Sequence, residues 1–291
     1  MLAQYIFNQI LRTPKQQKLK EKLFKFIRNK MLAQGDAIVN YPYKQFDLAI
    51  LFSHDFPFNF KEFPGYSQNL AAVTKKLLGK YPNLHAIDVG ANIGDSAAIM
   101  QSVGDVPVLC IEGNPKFLGL LETNTKQMHA ISVEPCFVGE EEEMVKAVNN
   151  LGTAYLEKVT DGIPVKTISS IIQKHPSFLN TKLFKIDTDG FDNKIIRGAK
   201  DFLVQSKSSV FFEYDPHFLS LQGEKGLDIF QFLVGIGYTK FVIYDNLGDH
   251  LITLGVDDFS KFEELHHYFN RGSARYMDIW ALHGEDESIL I

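Results

Sequence analysis

Two cysteines in 291 residues are too few for a disulfide framework, so the fold must rest on its core. No apolar run reaches the roughly 18 residues a membrane-spanning helix needs. The N-terminus also lacks the charged, apolar, small-residue order of a secretory signal, and the default expectation is a cytoplasmic protein. No segment repeats at a fixed period, which excludes a solenoid. Positive charge is in a small minority and unevenly placed. The formal net charge is −5, and residues 1–34 hold eight Lys or Arg against one Glu, or +7, which leaves −12 for the rest. No nucleic-acid footprint is expected on so acidic a body. Cys110 and Cys136 fall in neighbouring predicted strands and read as small buried hydrophobes.

With 45% hydrophobic and 22% charged residues, the chain has the composition of a globular protein with one large domain and extensions. Three divisions are expected. Residues 1–35 form a basic amphipathic helical extension, interrupted near Thr13-Pro14, with Leu19, Leu23, Phe24 and Ile27 at helical spacing. This face is expected to pack on the protein itself or on a second subunit, with peripheral attachment to an anionic membrane or an acidic partner as the alternative. The extension is expected to be dispensable for cofactor binding. Residues 36–80 form an aromatic, Pro-containing cover segment and a helix at 67–78. Residues 81–291 form the main domain.

In that domain apolar runs alternate with helical stretches, which predicts a doubly wound parallel sheet with helices on both faces. Strands are expected at 84–89, 106–112, 130–138, 182–187, 209–213, 238–245 and 275–283. The run of glutamates within 139–150 reads as a solvated helix or loop, and 152–159 as an excursion strand near the site.

The first strand ends in Asp88-Val89-Gly90-Ala91-Asn92-Ile93-Gly94-Asp95 and passes into a helix. Glycines there permit a sharp turn, and the helix N-terminus offers free N–H groups to a ligand. The spacing is not that of the dinucleotide fingerprint G-x-G-x-x-G, which argues against a pyrophosphate. Glu112 closes the next strand where a ribose-binding carboxylate belongs. A ribose without a pyrophosphate points to S-adenosylmethionine.

Together with Ile111-Glu112-Gly113-Asn114-Pro115 and Phe184-Lys185-Ile186-Asp187-Thr188-Asp189-Gly190-Phe191-Asp192, this stretch resembles the FkbM family of S-adenosylmethionine-dependent methyltransferases over roughly Tyr66 to Glu213. The family more often has Glu-Pro-Asn-Pro at the second motif and Glu-Gly-x-Glu at the third. The resemblance implies a seven-stranded class I methyltransferase sheet, Rossmann-like, that ends in antiparallel strands. It further implies a cofactor set of Asp88, Gly90, Ala91, Asn92, Gly94, Asp95, Glu112, Asn114 and Asp187.

Ligands of open α/β sheets bind outside the carboxyl ends of the strands, which gathers Asp88, Glu112, Asp187 and Glu213. Such acids repel one another unless cofactor hydroxyls, an ammonium or a metal relieves them. Asp187 is the first candidate for the proton acceptor, His217 the alternative, and Lys185 a modulator of Asp187. Asp189, Glu213 and Tyr214 are expected at the acceptor.

The segment Asp187 to Asp192 is not an EF-hand, because its glycine comes too early. A looser divalent site at Asp187, Asp189 and Glu213, or His217, stays open but is not expected. The Asp/Asn-Pro-Pro-aromatic turn of amino-group methylation is missing after the fourth strand, and neither cysteine follows that strand as a nucleophile. An oxygen acceptor remains, and the resemblance implies an O-methyltransferase acting on a hydroxyl of a glycan or secondary metabolite. A non-catalytic cofactor-binding or scaffold protein is the alternative, and a nucleotide-dependent oxidoreductase a weaker one.

Overall fold

The strands at 86–89, 108–111 and 183–186 are buried along their whole length, as strands covered by helices on both faces must be. The computed structural model describes residues 1–150, 153–159, 161–271 and 275–291. The N-terminal part runs α1 (Leu2–Arg12), α2 (Lys18–Leu32), the hairpin β1 (Ile38–Tyr43) and β2 (Phe46–Leu51), α3 (Phe56–Glu62) and α4 (Gln68–Lys80). The main domain begins with β3 (Ala86–Val89), α5 (Asp95–Gln101), β4 (Val108–Ile111), α6 (Pro115–Thr125) and β5 (Ile131–Glu134). There follow β6 (Phe137–Val138), β7 (Glu143–Asn150), β8 (Thr153–Lys158), β9 (Ile163–Lys166), α7 (Ile168–Lys174), β10 (Leu183–Ile186), α8 (Asp192–Gly198), α9 (Lys200–Ser206) and β11 (Ser209–Tyr214). The chain closes with α10 (Pro216–Leu221), α11 (Asp228–Gly235), β12 (Tyr238–Asp245), β13 (His250–Gly255), α12 (Phe259–Phe269) and β14 (Met277–His283).

The main sheet has the order β13-β12-β14-β11-β10-β3-β4-β5. Strands β5, β4, β3, β10 and β11 run parallel, and β14 lies antiparallel between β11 and β12. From β3 the chain steps outward to β4 and β5, then crosses back to β10 on the other side of β3. The strand order reverses between β3 and β10, and a ligand crevice belongs there. This is the class I methyltransferase fold that the motifs imply.

Two expectations need correcting. The sheet has eight strands, because β13 pairs antiparallel with β12 at the edge. Only Leu254 of β13 is buried, so its hydrophobic alternation is too weak to read. The glutamate-rich stretch is an exposed loop only at residues 140–142; residues 143–150 form β7, which pairs with β8 and β9 in a four-stranded sheet with β6. The expected excursion strand corresponds to β8, with Gly152 outside the described residues.

Alternate residues of the sheet enter two different cores. Ala86, Leu183, Phe211, Trp280 and Leu282 face α1, the β1–β2 hairpin, α4 and α5. Ile87, Phe184, Val210, Phe212 and Tyr214 face the opposite layer, with Ile195, Phe230 and Phe262. This parity decides which candidates reach the site.

The basic extension consists of two unlike helices. Helix α1 buries Ala3, Ile6, Phe7 and Ile10, the i, i+3, i+4, i+7 face of a helix, and Phe7 meets Phe58 edge-on with ring centroids 5.6 Å apart. Helix α2 buries no residue fully. Packing of α1 into the core weighs against the dispensability expected for residues 1–35. Phe7→Ala is expected to cost about 3–5 kcal/mol in urea unfolding, whereas Leu23→Ala should stay within about 0.5 kcal/mol. Equal unfolding midpoints for the two variants would show that α1 lies outside the core.

Candidate functional site

At the end of β3 the backbone enters the left-handed region at Gly90 (φ 75°), Asn92 (φ 48°) and Gly94 (φ 88°), and α5 begins. A Cβ on Gly90 would lie 2.0 Å from the carbonyl oxygen of Asp187. Glycine is needed there because the turn presses against the end of β10, whatever ligand lies above it. At the end of β4, Asn114 caps α6 by accepting from the N–H of Lys116, with Pro115 as the first helical residue. The absence of the family's usual proline at 113 has a visible reason. A Cβ on Gly113 would sit 2.4 Å from the ring of Phe137, whose side chain fills that space.

Glu112 ties the two turns together. Its Oε2 accepts from the N–H of Asn92 at 2.8 Å, and its Oε1 from the N–H of Asn114 at 2.6 Å. Each oxygen keeps a lone pair for a further donor. Burial raises the carboxyl's pKa, and these two N–H groups oppose the rise. The side chain faces a cavity of about 150 Å³ lined by Asn92, Asn114, Phe117, Phe137, Thr188 and Phe191. Cys136 also lines it, which the sequence does not reveal. Its thiol is pushed up to about 12 by burial and by Glu134, so it remains a neutral thiol.

A second cavity, of about 280 Å³, meets the first at Gly90, Asn92, Asp187 and Asp189. Together the two are in the size range of small-molecule sites. The cover segment contributes His54, Asp55, Phe56, Asn59, Tyr66 and Asn69 to its wall, the sheet contributes Lys185, Phe211, Glu213 and Asp278, and Tyr276 adds its ring from just before β14.

Lys185 lies at the centre of the charge pattern. It is 4% exposed, with Nζ 3.0 Å from Asp88 Oδ1, 3.6 Å from Asp187 Oδ2 and 3.4 Å from the carbonyl oxygen of Gly90. Burial works against its charge, but Asp88 and Asp187 outweigh it and hold the ammonium protonated well past its ordinary range. Lys185 is thus a fixed cation, not a group that exchanges protons near neutrality. It supplies from within the protein the relief expected of a ligand or metal at Asp88.

The structure brings together Asn92, Asp95, Glu112, Asn114, Asp187, Asp189, Glu213 and Lys185. Five other candidates line neither cavity. Asp88 is fully buried beneath the turn, paired with Lys185 and accepting from the Ser96 hydroxyl. Ala91 packs into the core. Gly94 caps α5, where a Cβ would approach Leu121 at 3.1 Å. His217 lies on α10, its ring beside Phe218, and Asp215 caps the helix by accepting from its N–H. Tyr214, one residue on from Glu213, points to the opposite face of the sheet, where its hydroxyl meets Nδ1 of His266 at 2.8 Å. Among the described residues, no group of three or more His, Cys, Asp and Glu could hold a metal ion.

Asp278 is a further residue that sequence reading missed. It pairs across the antiparallel β11–β14 ladder with Glu213, and its Oδ2 accepts from the Asn69 amide at 2.6 Å. Its only signal in the sequence is a charge inside an apolar strand. Burial and the carboxylates of Asp187, Asp192 and Asp278 push Glu213 well above the ordinary carboxyl range. Asp278 is pushed up to about 7 by burial and Asp187, against the Asn69 hydrogen bond. A carboxyl raised in the folded state costs stability as pH climbs from its unfolded value near 4 to its folded value, and the whole cost is felt above that. Asp278→Asn is therefore expected to raise the melting temperature at pH 8 by about 2–5 °C, with the gain vanishing toward pH 4. A gain independent of pH would mean that charge is not its source.

The family model described as the methyltransferase FkbM domain matches residues 88–240. The chain belongs to this family of S-adenosylmethionine-dependent methyltransferases. Among solved structures it is similar to the FkbM methyltransferase of Methylobacillus flagellatus, at 22% identity and TM-score 0.40, over 54% of this chain and 39% of that one. It spans about two fifths of that protein's length. It is also similar to the precorrin-6y C5,15-methyltransferase of Geobacter metallireducens, at 14% identity and TM-score 0.40, over 75% and 89% of the two chains. The N-methyltransferase NodS of Bradyrhizobium japonicum, solved with S-adenosyl-L-homocysteine, is similar at 10% identity and TM-score 0.42, over 79% and 93%. No curated protein matches the chain.

The site of this FkbM-family chain suits the family's cofactor. Asn92 Oδ1 is buried and has no hydrogen-bond partner among the described residues, and Glu112 has lone pairs to spare. Both line the cavity at the strand-order reversal, beside the rings of Phe117, Phe137 and Phe191.

Proposed function

We propose that the chain transfers a methyl group from S-adenosylmethionine to a hydroxyl of a glycan or other polyhydroxylated metabolite. The reading rests chiefly on Asp187. Its side chain is 52% exposed, at the junction of the two cavities, and the Lys185 ammonium beside it limits its orientation. When bound, the cofactor supplies an electrophilic methyl group on a sulfonium.

The chain's own residues do the rest. Glu112 and Asn92 would hold the nucleoside end through hydrogen bonds, with Phe117, Phe137 and Phe191 forming apolar walls. Asp187 takes the proton of the acceptor hydroxyl as the new bond forms. The second cavity carries carboxylates and the amides of Asn59 and Asn69 beside the rings of Tyr66 and Tyr276. Hydroxyl-rich acceptors suit such a wall, since carboxylates accept from hydroxyls and aromatic faces cover the apolar side of a sugar ring. Glu213 and Asp278, holding their protons to higher pH than ordinary carboxyls, can donate as well as accept.

The test is transfer of isotope-labelled methyl from S-adenosylmethionine to a panel of sugars, glycosides and amines, with the product resolved by NMR. O-methyl products are expected. Products methylated only at nitrogen would overturn the acceptor assignment, and absence of both turnover and cofactor binding would overturn the whole reading.

A further inference from the structure

Helix α2 presents two unlike faces. Phe24, Ile27, Met31 and Leu32 pack against the core, and Arg28 donates to the carbonyls of Phe52 and Ser53 at 3.0 and 2.8 Å. On the far side Leu19, Leu23 and Phe26 are 85%, 56% and 59% exposed. Their spacing of four and three residues puts them on one stripe. Exposed Lys18, Lys20, Lys22 and Lys30 surround it, while Lys25 is paired with Glu21 at 3.0 Å. Three large apolar side chains facing water within a ring of lysines are the make-up of a helix that lies in a bilayer interface.

The charge distribution selects the occupant. Residues 1–34 carry +7 and the rest of the chain −12. An anionic surface would therefore attract this segment and repel the body, so that α2 alone makes contact. Among the described residues no helix is long and apolar enough to cross a membrane, so the contact is peripheral.

We infer that α2 docks the protein on an anionic lipid surface, with Leu19, Leu23 and Phe26 entering the interface and the surrounding lysines meeting the headgroups. Arg28 ties the inner face of the helix to the segment at Phe52 and Ser53. The next residues, His54, Asp55 and Phe56, line the second cavity. The docked helix thus adjoins the wall of the proposed acceptor site.

The experiment is co-flotation of the full chain with vesicles of phosphatidylcholine alone and of phosphatidylcholine with about a quarter phosphatidylglycerol, at low and high salt. Binding is expected only to the anionic vesicles and should weaken as salt rises. Leu19→Gln/Leu23→Gln/Phe26→Gln and Lys18→Gln/Lys20→Gln/Lys22→Gln/Lys30→Gln should each lower partitioning, the lysine variant by roughly a hundredfold or more. Because all seven side chains are exposed, affinity for S-adenosylmethionine should not change. Failure of the wild-type chain to float, or equal flotation of the variants, would overturn the proposal. So would a dimer, seen by sedimentation velocity, that the leucine and phenylalanine substitutions dissociate, since the stripe would then belong to a second copy.

Discussion

Glu112→Ala is expected to weaken S-adenosylmethionine binding by roughly ten- to hundredfold, the loss of charge-assisted hydrogen bonds worth on the order of 1.5–3 kcal/mol. The structure adds a second cost. The same carboxylate accepts from the N–H groups of Asn92 and Asn114, so its removal leaves both donors unpaired in a site where Glu112 itself is only 7% exposed. Glu112→Gln separates the two contributions. One amide oxygen can still accept, but the charge is gone and the NH2 group faces at least one N–H as a second donor. Titration calorimetry should rank wild type above Gln and Gln above Ala. An alanine variant that binds as tightly as wild type would remove Glu112 from the cofactor site.

Asp187→Asn is expected to lower kcat by roughly a hundredfold or more while cofactor affinity changes little. The substitution keeps the shape of the side chain and deletes its proton-accepting charge. Its consequence for Lys185 is limited, because that ammonium keeps Asp88 at 3.0 Å as its nearer partner. Single-turnover measurements separate a slower chemical step from slower product release. Full activity of Asp187→Asn would shift proton removal to the Glu213–Asp278 pair, which also lines the second cavity. His217, the alternative drawn from the sequence, lines neither cavity.

Much of the first cavity's lining was legible because it is local. A strand, a glycine turn and a helix start are coded within about ten residues, and an acid at the next strand end follows from the periodicity of a βα unit. Asn92, Glu112, Asn114 and Asp187 stand where those local rules put them. Gly90 was legible as a turn residue, but its reason was not, since the backbone it must clear belongs to Asp187, far along the chain. The aromatic cover segment was legible as composition only. That His54, Asp55, Tyr66 and Asn69 line the second cavity depends on how the hairpin and α4 lie against the sheet.

The sequence by itself determined the class of the fold, the place of the glycine turn after the first strand, the charge asymmetry and the family. These depend on hydrophobic period, turn chemistry and short motifs, each readable within one or two elements. Only the tertiary structure decided which side chains share a cavity. Strand parity puts Glu213 in the site and Tyr214 in the opposite core, although they are neighbours in sequence. Antiparallel register sets Asp278 beside Glu213, 65 residues later in the numbering, and parallel register sets Lys185 beside Asp88. Contacts of that kind are fixed by how strands pair, and pairing is a property of the whole sheet.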